Sequence, residues 1–124
     1  MAAIYSDVIL DHFRNPRNYG ALHSPDVAHE DVNPLCGDRI RIELRIKDGI
    51  VEAVRFRGDG CAISIASASI LTELVLGANL CGREIVGEDR LLSSLQSKIK
   101  RSRIKCAMLP LEVLRVAVDS YFAR

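Results

Sequence analysis

Three things are scarce in this sequence of 124 residues: net charge, long apolar runs and closely spaced cysteines. Seventeen Lys and Arg oppose sixteen Asp and Glu, leaving +1, so no global field steers the chain toward nucleic acid or an anionic membrane. The longest apolar runs fall far short of the roughly 20 residues that cross a bilayer. The opening Met-Ala-Ala-Ile-Tyr-Ser-Asp lacks a basic region followed by an apolar one, so neither membrane segment nor signal peptide is expected and the default address is cytoplasmic. Repeats, linkers and low-complexity stretches are also missing, which leaves one domain over 1–124 as the expectation. No Cys-x-x-Cys pair occurs among the four cysteines, which removes the compact zinc and ferredoxin patterns. No acid–base pair or phosphate-binding glycine loop accompanies the thiols, which argues against a conventional enzyme acting on a small molecule.

What is present is enough apolar material for a real core, 48% of the residues, and a readable order of elements. From Ile4 to Phe13, apolar Ile4, Val8, Ile9 and Phe13 recur at helical spacing, and the pattern stops at Asn15-Pro16. His12 on that face reads as a packed or surface histidine, and His23 and His29 as solvated, since none has metal-type spacing to a cysteine. Pro16 to Asp26 is irregular, with a weak strand signal over Ala28 to Val32. Ile40, Ile42, Leu44 and Ile46 then alternate with charged residues, the pattern of a strand with one buried face. Asp48-Gly49 supplies a two-residue hairpin turn. The return strand runs from Ile50 to Arg57 with Val54 and Phe56 inward. Its charged outer face is no nucleic-acid patch, because Glu43 and Glu52 interrupt the cations and no aromatics offer stacking platforms.

The second half reads as helical. Ala62 to Leu76 carries Ala and Ser on one side and Ile63, Ala66, Ile70 and Leu74 on another, and Gly77 ends it. Leu80 to Val86 reads as a short helix, Gly87 as a break, and Asp89 to Lys98 as a helix built on Leu91, Leu92 and Leu95. The basic run Lys98 to Lys105 is expected to be exposed, and Ala107 to Tyr121 to form a closing helix with Pro110 near its first turn. Cys36 falls in a turn before a strand, while Cys61 and Cys106 each fall just before a helix; Cys81 reads as a buried, inert thiol. A helix start favours thiolate at Cys61, because unpartnered amide N–H groups and the peptide dipoles place positive charge beside the sulfur.

Spacing alone does not join these thiols, which stand 25 and 45 residues apart. Their contexts do: Asn33-Pro34-Leu35-Cys36-Gly37-Asp38, Gly60-Cys61 through Ser67-Ala68-Ser69, and Lys105-Cys106-Ala107-Met108-Leu109 occur in that order. Together with the opening Tyr5 to Gly20, they resemble the IscU/SufU/NifU-type iron–sulfur cluster assembly scaffolds over nearly the whole chain. The resemblance implies an α+β fold, a small antiparallel sheet with helices packed on one face. It implies Cys36, Cys61 and Cys106 as thiolate ligands of a transient iron–sulfur cluster or of zinc, with Asp38 as a further ligand. It also implies a cysteine desulfurase as sulfur donor and apoproteins as recipients, and it leaves homo-oligomerisation around a shared cluster open. Independently, three thiolates and a carboxylate make a tetrahedral donor set suited to Zn²⁺, and thiolates suit iron–sulfur clusters.

Two departures divide the readings. The IscU branch has histidine before its third cysteine, where this chain has Lys105, whose protonated amine has no lone pair to donate. Arg103-Ile104-Lys105-Cys106 instead resembles the SufU branch, which places an arginine near the metal, yet this chain is too short to hold the full SufU insertion before the third cysteine. The IscU-type Leu-Pro-Pro-Val-Lys chaperone motif is absent too. The expected function is a scaffold that accepts sulfur, with Cys36 as persulfide acceptor. The alternatives are a zinc-dependent sulfur carrier that activates its desulfurase without building a cluster, and a structural zinc domain that binds a partner.

Overall fold

The computed structural model describes residues 5–82 and 86–124. Ile4 and residues 83–85 of the short helix expected over Leu80 to Val86 lie outside the described residues. Helix α1 (Asp7–Arg14) is followed by strands β1 (Val27–Asn33), β2 (Asp38–Lys47) and β3 (Ile50–Asp59). Then come α2 (Ala62–Val75), a 3-10 turn at Leu80–Gly82, α3 (Glu88–Ser94), a second 3-10 turn at Arg101–Arg103, and α4 (Ile104–Phe122). The sheet is antiparallel throughout in the order β1-β2-β3. Alternation fixes its inner face: Ile40, Ile42, Leu44 and Ile46 from β2 and Val54 and Phe56 from β3 are buried, under α2 and α4. Asp48 and Gly49 take φ of 53° and 78° in the hairpin turn, the left-handed pair that matches strand twist.

The α+β expectation is met, with several local corrections. Helix α1 starts only at Asp7, where the Ser6 hydroxyl accepts the Ile9 N–H as its cap. The weakly signalled strand is a full partner of β2, with Val27 opposite Leu44 and Asn33 opposite Asp38. Helix α2 is not two-sided: Ser64, Ser67, Ser69 and Thr72 are buried along with its apolar residues, because α1, α4 and the sheet enclose it. Each hydroxyl is partnered, as in Ser67 Oγ donating to the Ala107 carbonyl at 2.6 Å and Thr72 Oγ1 to that of Ser69 at 2.6 Å. Glu43, expected on a solvated outer face, is only 4% exposed. The segment after α1 folds over it, so that Leu22 N–H and the Arg41 and Arg57 guanidinium groups all converge on its carboxylate.

Helix α4 begins at Ile104, so Cys106 lies within its first turn and Pro110 in its interior. The missing N–H of Pro110 leaves the Cys106 carbonyl without its usual intrahelical donor. Cys81 is exposed, not buried. Leu80 takes the interior position, its N–H donating to the Gly49 carbonyl at 2.7 Å, and the next residue in the 3-10 turn therefore points out. His12 is packed as expected, its Nδ1 2.7 Å from Ser69 Oγ, and burial holds its pKa below the usual value.

Candidate metal centre

Three chain segments meet at one end of the sheet. The first is the turn from Asn33 to Gly37, between β1 and β2. The Asn33 carbonyl accepts both Cys36 N–H at 3.3 Å and Gly37 N–H at 2.7 Å, and the Asn33 side chain accepts Leu35 N–H at 3.1 Å. Pro34 suits the second position of this turn, and Gly37 closes it at φ 74°. Cys36 is left exposed at the surface. Asp38, two residues before Ile40, shares the inner face of β2 and is 2% exposed.

The second segment is the start of α2, where Cys61 is the N-cap but forms no cap bond with its own side chain. Asp38 supplies one instead: its Oδ1 accepts Cys61 N–H at 3.0 Å, placing a carboxylate at a helix N-terminus. The third is the first turn of α4, which carries Cys106, 1% exposed. Cys36 Sγ lies 3.3 Å from Cys106 Sγ and 3.2 Å from Asp38 Oδ2, and Cys61 Sγ lies 4.0 Å from the same Oδ2. Ligand atoms of Cys36, Asp38 and Cys106 all fall within 4.8 Å of one another, close enough to hold one metal ion; Cys61 stands at the margin of that group. None of the four cysteines is in a disulfide.

The donor set fits the groups implied for it. Thiols and a buried carboxylate that faces them satisfy the tetrahedral sulfur-and-oxygen preference of Zn²⁺, and the thiols alone suit an iron–sulfur cluster. Burial pushes the Cys106 thiol far above its usual range, aided by Cys36, Asp38 and the negative charge of Cys61. Only deprotonation at metal binding makes that sulfur a ligand. Arg103 is exposed, and its interaction with Cys61 raises its pKa further, so this guanidinium attends the second cysteine. Lys105 lines a groove with Leu35 and Leu109. Ser64 was not singled out by sequence, yet its Oγ donates to the Cys61 carbonyl at 3.0 Å and lies 3.9 Å from the Cys61 sulfur; its position three residues into the helix from Cys61 is the signal that could have found it.

An α+β domain that gathers free thiols around a buried carboxylate at the end of its sheet has, by class, the donor set of a thiolate metal-binding domain. Within that class the chain belongs to the NifU-like N terminal domain family, which it matches over residues 4–124. It is 33% identical over 121 residues to the iron–sulfur cluster assembly scaffold protein IscU 1 of Archaeoglobus fulgidus, covering 98% of this chain and 78% of that one. Over 77 residues it is 46% identical to the zinc-dependent sulfurtransferase SufU of Bacillus subtilis, covering 62% of this chain and 52% of that one. In fold it superposes on the N-terminal NifU-like protein of Brucella abortus with a TM-score of 0.79 at 19% identity, over 98% of this chain and 96% of the other.

Proposed function

We propose that this protein accepts sulfur from a cysteine desulfurase and holds an iron–sulfur cluster or zinc on Cys36, Cys61, Cys106 and Asp38, for passage to apoproteins in the cytoplasm. The observation that carries the reading is an exposed Cys36 thiol held 3.2 Å from the buried Asp38 carboxylate and 3.3 Å from the buried Cys106. Cys36 is the persulfide acceptor: its thiolate attacks the outer sulfur of the desulfurase persulfide, a new S–S bond forms on Cys36, and the desulfurase cysteine leaves as thiolate. Cys106 is too buried to meet a partner's sulfur, and Cys61 stands under Arg103. Among the described residues, no helix is long and apolar enough to cross a membrane.

Anaerobic reconstitution with iron, cysteine and a desulfurase tests this. Cluster absorption bands that vanish in Cys36→Ala, Cys61→Ala and Cys106→Ala are expected; protein that takes up neither cluster nor persulfide overturns the proposal. A second reading, a zinc-dependent carrier that activates the desulfurase, is favoured by Arg103 at Cys61 and by the SufU likeness. Iron with acid-labile sulfide in protein purified without oxygen selects the scaffold. Stoichiometric zinc, with faster desulfurase turnover on its addition, selects the carrier.

A further inference from the structure

The near-zero net charge conceals a local excess. Lys98, Lys100, Arg101, Arg103 and Lys105 are five of the seventeen cations, and no acidic residue occurs between Arg90 and Glu112. All five are exposed. Several cations elsewhere are locally neutralised: Arg17 by Asp11, Arg39 by Glu30, Arg41 and Arg57 by Glu43, Arg115 by Glu88. Among the described residues, none of the five has a carboxylate partner within 4.0 Å, and Arg103 alone is engaged, by Cys61.

Lys105 also borders a groove of about 250 Å³ between the Cys36 turn and α4. Leu109 lies in its floor, and Val32, Pro34 and Leu35 form its lip. Leu35 is 79% exposed and Val32 41% exposed, although water disfavours such apolar surface. Unpaired cations and uncovered leucine are thus continuous, joined at Lys105 and directly beside the thiols.

We infer that the basic run Lys98–Lys105 and the adjoining groove form a docking surface for a partner protein segment carrying acidic residues beside one apolar side chain. The acids lie over the basic run and the apolar side chain enters the groove. Asp31 and Glu112, on the same groove as Lys105, fix this polarity by repelling carboxylates from that side. They equally repel a phosphate backbone, and the run Lys98–Lys105 holds no aromatic ring on which a base could stack. A protein segment therefore fits where nucleic acid does not.

Fluorescence anisotropy with a short labelled peptide of glutamates and aspartates beside one leucine tests the inference at low salt. Lys98→Glu, Lys100→Glu and Arg101→Glu together should weaken binding by about tenfold, as loss of several exposed charge pairs does. Leu35→Ser, or a peptide with glycine in place of its leucine, should weaken it severalfold. Zinc content should be unchanged in every variant, and Lys98→Arg with Lys100→Arg should bind as the parent does. Absence of peptide binding, equal affinity across the variants, or equally tight binding of a single-stranded DNA of the same charge would each overturn the inference.

Discussion

Replacing Gly60 by alanine probes the junction on which the whole site rests. A Cβ there would lie 2.7 Å from Asp38 Oδ1 and 3.1 Å from its Cγ, and it would press on Ser64 Oγ as well. Neither neighbour can swing into solvent, since Asp38 and Ser64 are both buried. Gly60 is not among the glycines with positive φ, so the effect is steric rather than conformational. The contact that yields is the Asp38 cap on Cys61 N–H, now 3.0 Å. A hydrogen bond to a charged group contributes about 1.5–3 kcal/mol, and overpacking costs about 1–3 kcal/mol. The reduced freedom of the unfolded chain offsets about 0.4–1 kcal/mol. Urea unfolding of the metal-free variant should therefore show a loss of about 1.5–5.5 kcal/mol. Zinc affinity, read by competition with a chromophoric chelator, should fall by at least about 10–100-fold, the range for lost outer-shell support, because Asp38 is itself a proposed ligand. Adding Ser64→Ala should restore part of the stability but not the affinity, because it relieves one clash and leaves Asp38 displaced. A Gly60→Ala protein as stable as the parent, with unchanged zinc affinity, would refute the claim that Asp38 is pinned between β2 and α2.

Three further outcomes are expected. Zinc binding at neutral pH should expel the proton that burial keeps on Cys106, so calorimetry in buffers of different ionisation enthalpy should count at least one proton fewer in Cys106→Ala; equal counts would reject the assignment. Because burial makes folded His12 release its proton more readily than the unfolded chain, stability is full above pH 6.5 and declines as pH falls below it, with a slope of at most ~1.4 kcal/mol per pH unit. His12→Gln should flatten that slope in urea titrations, and an unaltered slope would assign it to other groups. Cys81→Ser should change stability by no more than about 0.5 kcal/mol and leave metal content intact; lost metal would place this exposed thiol in the site.

The hairpin was legible because its information is local. Alternation along β2 and the Asp48-Gly49 pair each act over a few residues, and Asp38 follows from the same period, since a residue two before Ile40 must share its face. Where burial comes from distant segments, the pattern fails. Helix α2 buries its serines along with its isoleucines because α1, α4 and the sheet pack around it, with Glu73 left exposed, and Glu43 is covered by a segment about twenty residues earlier. Strand β1 is faint because Glu30, Asp31 and Val32 are exposed in succession at the sheet edge, so no alternation marks them. Cys81 misled because the cysteine and its leucine neighbour are equally apolar in sequence, and only the contact of Leu80 with the hairpin turn decides which goes inside. The thiols themselves were joined by family resemblance and not by spacing, since antiparallel topology, invisible in a cysteine interval, closes the distances between them.

That topology places the boundary between fixed and movable parts of the site at a single residue. Asp38 is held by β2 pairing with Asn33, by the Cys61 N–H and by burial; Cys106 is held within α4. Cys36 is held only by a turn, with Gly37 at φ 74° between it and Asp38. Under the proposed function, Cys36 has to leave Asp38 and Cys106 to meet a partner's sulfur and return with its cargo. Rotation about Gly37 achieves this without disturbing Asp38, whereas movement of either buried ligand would break a helix start or a strand. Sulfur acceptance and cargo retention are therefore separable at Gly37, and the exposed thiol is the one that the architecture leaves free to exchange.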